Sequence, residues 1–224
     1  MSAQKVVLET SDHVSIAGTY ARGDAAGAVL LLHMMPATKE SWKLVVATLD
    51  RSGIATLAID LRGHGASDGG PDGYKTFTDD MHRKSARDVK AAMDFLSREK
   101  YHSSQCLIIG ASIGANLAVQ YAASHDVRGI ALLSPGFSYR GLDIRPLMGH
   151  IKEGTHVFFA GSEDDTRSYG NCATMARVLR KGLMSRVASD IIIYQHAGHG
   201  TDMCGVEAPD LTHTLELWSK KLIL

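Results

Sequence analysis

The chain has 224 residues and a formal net charge of zero, because 24 basic side chains are balanced by 24 acidic ones. That balance argues against binding to nucleic acid or anionic lipid through bulk charge. The hydrophobic fraction of 45% excludes a disordered chain, and no apolar run reaches the ~18 residues needed to cross a membrane.

The predicted elements begin with a hairpin at residues 6–9 and 14–20 and continue as strands that alternate with helices. Strands are predicted at 28–33, 54–59, 106–110, 129–133, 157–160 and 191–194. Helices are predicted at 42–49, 78–98, 113–123, 172–182 and 211–222. This alternation predicts right-handed βαβ units. The expected fold class is α/β: a mostly parallel eight-stranded sheet with helices on both faces, in a single domain over residues 1–224.

The longest irregular insertion predicted is 134–154, which contains two prolines and is mostly loop. It is too short for a cap domain, so we expect a minimal lid or none. The insertion crosses the carboxyl edge of the sheet, where open α/β folds bind ligands. Phe137, Tyr139 and Leu142 are therefore apolar candidates for the substrate entrance, with plain coverage of the core as the alternative.

A nucleophile motif lies between a predicted strand and a predicted helix. Residues 110–114 read G-x-S-x-G, with Ser112 at the centre. Such a strand–turn–helix raises the serine hydroxyl above the carboxyl ends of the strands and directs the helix N-terminus at the reacting group. The pattern predicts that Ser112 is a nucleophile and that the N–H of Ile113 stabilises developing negative charge.

A serine hydroxyl needs a base, and the loop after the last predicted strand presents two histidines. His199 is flanked by Gly198 and Gly200, which let the loop curl so that its ring reaches Ser112. His196 is nearer the strand end, and we expect a structural role for it. We therefore predict that His199 is the base.

The base needs a carboxylate to orient it, and a cluster of acids follows the strand predicted at 157–160. Counting G-x-x-D from Gly161 gives Asp164, whereas counting S-x-x-D from Ser162 gives Asp165. The sequence does not separate the two, and Glu163 is a weaker third choice. We prefer Asp165, because the loop then continues into the next helix without a shift.

The second donor to an oxyanion is expected in the loop after the strand at 28–33. The N–H of Met35 is the candidate, since the following Pro36 has no N–H. No HExxH or CxxC pattern occurs, and Cys106, Cys172 and Cys204 are odd in number and widely spaced. We therefore expect no metal site, no disulfide framework and no organic cofactor.

These segments resemble the α/β-hydrolase superfamily over nearly the whole chain. AVLLLHMMPATKESW is similar to the family's strand–HG-loop–Trp segment, with Met34 where glycine is usual. AIDLRGHGASDG is similar to its D-x-R-G-x-G-x-S turn, which is structural in relatives, so His64 is not expected to be the base. LIIGASIGANLAV matches the nucleophile elbow. The later segments LLSPGFSYRGL and AGHGTDM resemble small bacterial esterase-like or dienelactone-hydrolase-like proteins.

The resemblance implies hydrolysis of a carboxylic ester of small or short acyl chain through an acyl-serine. Thioesterase or amide hydrolase activity with the same triad is one alternative, and a catalytically silent binding module is another. We expect a small-molecule ester as the partner, without nucleic acid or membrane, and a homodimer as an open alternative to the monomer. The N-terminal residues show no basic start followed by an apolar stretch, so a cytoplasmic location is expected.

Overall fold

An eight-stranded sheet forms the centre of the computed structural model, which describes residues 3–166, 170–206 and 209–224. Its strands are β1 (Gln4–Glu9), β2 (Ser15–Ala21), β3 (Ala28–Leu32), β4 (Ala55–Ile59), β5 (Cys106–Ala111), β6 (Gly129–Leu133), β9 (His156–Ser162) and β10 (Ser189–Tyr194). Strands β7 (Ser138–Tyr139) and β8 (Leu142–Asp143) pair separately. The helices are α1 (Lys43–Arg51), α2 (Asp79–Arg83), α3 (Ala86–Arg98), α4 (Ile113–Ala122), α5 (Cys172–Lys181) and α6 (Leu211–Ile223).

The strand order is β1-β2-β4-β3-β5-β6-β9-β10. The β1–β2 and β2–β4 pairs are antiparallel, and the other neighbours in this sheet are parallel. The eight-stranded, mostly parallel sheet predicted from the sequence is confirmed. Strands β5, β6 and β9 are neighbours, so the loops that follow them meet at one edge of the sheet.

The core lies on both faces of the sheet. Along β3, Leu30 and Leu32 pack into the cluster on one face, while Val29 and Leu31 pack into the cluster on the other. A strand covered on both faces has no polar side to present, which is why this stretch reads as a continuous apolar run. The two clusters cover both faces of the sheet.

The single helix predicted at 78–98 is wrong, because the structure has two helices, α2 and α3, separated by a turn. The N–H of Ser85 donates to the carbonyl of His82, and the N–H of Arg87 donates to the carbonyl of Lys84. These three-residue spacings tighten the chain and redirect it before α3 begins. His82 and Ser85 are both buried, so the turn faces the interior rather than solvent.

The insertion predicted as mostly loop contains the short hairpin of β7 and β8 and a 3₁₀ helix at Arg145–His150. Tyr139, Leu142, Ile144 and Met148 from this segment are buried in the core. The insertion therefore packs against the helices on one face of the sheet, chiefly α4. Of the three predicted entrance residues, Leu142 and Tyr139 belong to the core and Phe137 packs against it.

The D-x-R-G segment is held by ion pairs. Asp60 accepts hydrogen bonds from the amine and the backbone N–H of Lys39, at 2.6 and 2.8 Å. Arg62 pairs with Asp88 at 2.7 Å and with Asp12 at 2.9 Å. This network has the structural character that the sequence predicted for the turn.

No helix in the described part of the chain is both long and apolar enough to cross a bilayer.

Candidate active site

Ser112 occupies a strained turn between β5 and α4. Its backbone angles are φ 54° and ψ −117°, an unfavourable region for a residue with a side chain. A Cβ added to Gly110 would lie 2.2 Å from the carbonyl oxygen of Gly114, and one added to Gly114 would lie 2.3 Å from that of Leu32. Only glycines permit this close crossing of strand and helix. The turn therefore has the geometry predicted for a nucleophile elbow.

His199 and Asp165 are brought together from two different loops. The Nδ1 atom of His199 lies 2.8 Å from Oδ2 of Asp165, and both residues are buried. Burial alone would raise the pKa of Asp165, but the hydrogen bond with His199 and the nearby Ser134 hydroxyl hold that pKa below its ordinary value. The carboxylate is therefore the acceptor and Nδ1 carries the proton, which leaves Nε2 of His199 able to accept a proton.

Asp164 has a different role in the structure. It is exposed, and its carboxylate accepts a hydrogen bond from the Ser162 hydroxyl and lies 3.3 Å from the N–H groups of Ala197 and Gly198. The hydrogen bond from Ser162 lowers the pKa of Asp164. Asp164 thus holds the backbone of the histidine loop, whereas Asp165 contacts the imidazole. The other histidine of this loop, His196, is exposed.

The histidine loop lies directly against the elbow. Gly200, next to His199, has φ +57°, and a Cβ there would lie 2.6 Å from Sδ of Met34 and 3.2 Å from Cβ of Ala111. A side chain at this position would push the loop away from the residue that precedes Ser112. The segments that carry Ser112 and His199 are therefore in contact.

Ser112 and His199, both within the described residues, are not hydrogen-bonded to each other. Burial raises the pKa of the Tyr139 hydroxyl, and the nearby Ser112 side chain opposes that rise. Catalytic hydrogen bonds are often long in structures without substrate and shorten when substrate binds.

The sequence predicted only an apolar role for Tyr139, whereas the structure places its hydroxyl at the candidate site. Its hydroxyl lies 3.3 Å from the carbonyl oxygen of Ser134 and 3.5 Å from Sγ of Cys172, and burial raises its pKa, so it stays protonated. The buried amide of Asn116 brings this segment to the site by donating to the carbonyls of Gly136 and Leu142. Asn116, a buried amide within helix α4, is the feature of the sequence that could have indicated this contact.

The two N–H groups predicted to bind an oxyanion have no acceptor among the described residues. Neither Met35 nor Ile113 donates a hydrogen bond there. His33 sets the direction of the Met35 N–H. Its Nε2 accepts the N–H of Leu61 at 2.9 Å, so Nδ1 carries the proton and donates to the carbonyl of Met34 at 2.8 Å. That carbonyl shares a peptide plane with the N–H of Met35, which must point the opposite way.

One group of ligand atoms in the described chain could hold a metal ion. Atoms of Asp165, Cys172 and His199 lie within 4.8 Å of one another. Carboxylate, thiolate and imidazole are ligands that zinc accepts. Nδ1 of His199 is already engaged by Asp165, so a metal bound there would replace the pair described above.

Comparisons with known proteins agree with this architecture. The family model described as "Serine aminopeptidase, S33" (Hydrolase_4) matches residues 23–176, more than half of the chain. The chain belongs to this family of α/β-hydrolases. The matched range includes Ser112 and Asp165, whereas His199 lies beyond it.

Two kinds of relative support the assignment of this α/β-hydrolase. The AB hydrolase superfamily protein YisY of Bacillus subtilis is 31% identical over 118 residues, which are 50% of this chain and 40% of the relative's length. An esterase of Pyrococcus furiosus, Pf2001, has a TM-score of 0.81 at 17% identity, covering 100% of this chain and 92% of that one. Dienelactone hydrolase from Anabaena variabilis has a TM-score of 0.77 at 17% identity, covering 100% and 99%. At these identities the solved structures show the fold.

Proposed function

We propose that this α/β-hydrolase is a serine esterase that cleaves small or short-chain carboxylic esters. The observation that carries the proposal is the buried His199–Asp165 pair, 2.8 Å apart, on a loop packed against the Ser112 elbow. The esterase and dienelactone hydrolase among the structural neighbours support the same class of substrate. No cofactor enters the proposed chemistry.

Acylation begins when Oγ of Ser112 attacks the ester carbonyl and its proton passes to Nε2 of His199. Asp165 stabilises the imidazolium and keeps its Nδ1 proton in place. The oxyanion of the tetrahedral intermediate accepts hydrogen bonds from the N–H groups of Met35 and Ile113. Loss of one such donor costs on the order of 3 kcal/mol of barrier.

Deacylation repeats the chemistry with water. As the first intermediate collapses, His199 gives its proton to the leaving alkoxide and an alcohol departs. His199 then removes a proton from water, which attacks the acyl-serine, and the second intermediate releases the carboxylic acid and restores Ser112.

The proposal is tested with a panel of p-nitrophenyl esters of increasing acyl length. We expect turnover, highest with the short chains, and its loss in Ser112→Ala. Ser124→Ala is the matched control, because Ser124 is exposed just beyond α4. Wild-type rates in Ser112→Ala would refute the mechanism.

Amide hydrolysis is the second candidate, because the matched family is described as an aminopeptidase family. The same triad would serve it. Assays with aminoacyl p-nitroanilides and acyl thioesters beside the oxygen esters distinguish the candidates. A kcat/KM for anilides above that for esters of similar size would favour a peptidase.

A further inference from the structure

Ser134 follows the strand next to β9, which leads to Asp165, and its side chain contacts the loop that carries His199. It directly follows β6, which lies between β5 and β9 in the sheet, and it is completely buried. Its φ is +48°, unusual for a residue other than glycine, and its N–H donates to the carbonyl of Ala160 at 2.8 Å. Ser134 is thus a strained, buried serine close to the proposed triad, and its hydroxyl needs hydrogen-bond partners within the protein.

The hydroxyl of Ser134 holds the histidine loop. Its Oγ accepts a hydrogen bond from the N–H of Gly200 at 2.9 Å, one residue beyond His199. A serine hydroxyl that accepts in this way still has one proton to donate.

An acceptor for that proton lies nearby. Oδ2 of Asp165 faces His199, while Oδ1 is buried and has no hydrogen bond within normal distance among the described residues. A buried carboxylate oxygen without a donor is costly. The Ser134 hydroxyl lies beside this carboxylate and helps to lower its pKa.

We propose that Ser134 is a positioning residue whose single hydroxyl accepts from the Gly200 N–H and donates to Asp165, so that it sets the distance and the charge of the His199–Asp165 pair. This inference rests on the proposed function.

Removing the hydroxyl has a definite electrostatic consequence. Without its donor, the negative charge of Asp165 concentrates on the oxygen that faces His199 and favours the protonated imidazole. Among the described residues, two other titratable side chains lie near this carboxylate: the Cys172 thiol, which helps to lower its pKa, and the Tyr139 hydroxyl, which stays protonated because burial raises its pKa. Asp164 interacts with the loop backbone instead.

Ser134→Ala is the main test, and Ser162→Ala is the matched control. Ser162 is also buried and accepts the N–H of Ala197 at 2.9 Å, two residues before His199, but its hydroxyl donates to Asp164. In Ser134→Ala we expect kcat/KM for the best ester to fall about tenfold, and the acid limb of its pH profile to move up by roughly half a pH unit. In Ser162→Ala the acid limb should stay within error of wild type.

Two additional variants separate the hydroxyl from the backbone. Ser134→Gly adopts φ +48° without strain but lacks the hydroxyl, so it should show the same shift as Ser134→Ala. Ser134→Thr keeps the hydroxyl but adds a β-branched methyl at φ +48°, so a folded Ser134→Thr protein should keep the wild-type acid limb at reduced stability. A wild-type pH profile in Ser134→Gly or Ser134→Ala would overturn the proposal, and thermal unfolding of each variant shows that it is folded.

A second readout does not depend on turnover. The proton shared by His199 and Asp165 gives a downfield NMR resonance, identified by its loss in His199→Gln. It should move in Ser134→Ala and not in Ser162→Ala. If wild-type protein hydrolyses no ester but the resonance moves, only the proposed function fails. If wild-type protein is active but neither the acid limb nor the resonance moves, only the role of Ser134 fails.

Discussion

The imidazole of His199 is held at 2.8 Å by Asp165, while the adjacent Asp164 faces the loop backbone. We therefore assign separate tasks to the two neighbouring carboxylates, one electrostatic and one structural. Asp165→Asn should lower kcat by about 10³–10⁴-fold, because an amide disturbs the tautomer of His199. Asp164→Asn, the matched control, should lower it less than tenfold. Steady-state kinetics on one ester decides, and equal mild losses in both variants would contradict the assignment.

His33 fixes the orientation of the peptide that carries the Met35 N–H. His33→Gln should lower kcat by about 10²-fold with little change in KM, because the donor is misaligned in the transition state. His64→Gln is the control. His64 is also buried, and its ring centroid lies 4.9 Å from that of His33. Its Nδ1 hydrogen-bonds to the carbonyl of Arg62, not to that of Met34. Similar kcat values in the two variants would argue against this role.

The hydroxyl of Tyr139 lies near the side chain of Ser112, and we expect it to compete with His199 for the Ser112 hydroxyl. In Tyr139→Phe the serine loses this interaction, so labelling of Ser112 by a fluorophosphonate should become faster. The variant should also lose about 1 kcal/mol of unfolding free energy, because the hydroxyl no longer bonds the Ser134 carbonyl. Labelling that is tenfold slower would show that the hydroxyl assists the nucleophile instead of restraining it.

We expect the protein to lose stability in mild acid because the buried His82 becomes protonated. Burial lowers the pKa of this histidine to about 4 from an ordinary 6.5, with nearby Arg140 adding to the effect. Between these pH values the unfolded chain binds more protons than the folded one. Stability is therefore full above pH 6.5 and falls as the pH drops towards 4.

His82→Gln removes this linkage. Between pH 7 and pH 5, its unfolding free energy should decline by roughly 1–2 kcal/mol less than that of wild type. The control is His150→Gln, at an exposed histidine, which should decline as wild type does. Urea unfolding at several pH values measures the difference, and parallel declines in all three proteins would exclude His82 as the cause.

The sequence predicted the parts of the fold that local pattern determines. Short apolar runs such as that of β3 favour central strands, and the glycines around Ser112 permit a crossing that no other residue allows. Spacing alone could not choose between Asp164 and Asp165, because the choice depends on where the Ser162 hydroxyl points. That direction is decided by the N–H of Ala197, 35 residues away in the chain.

Tertiary contacts also explain what the sequence missed. The break between α2 and α3 depends on burial of His82 and Ser85, which the helical periodicity does not reveal. Tyr139 reaches the site only because Asn116 binds the chain on either side of it. Ser134 looks like an ordinary loop serine until the N–H of Gly200 is placed on its hydroxyl.

The central claim is that Ser112 is an activated nucleophile, and covalent labelling tests it most directly. Intact-mass spectrometry after treatment with a fluorophosphonate should show one adduct on the wild-type protein, located by peptide mapping at Ser112, and none on Ser112→Ala. An unlabelled wild-type protein, or an adduct that persists in Ser112→Ala, would contradict the account.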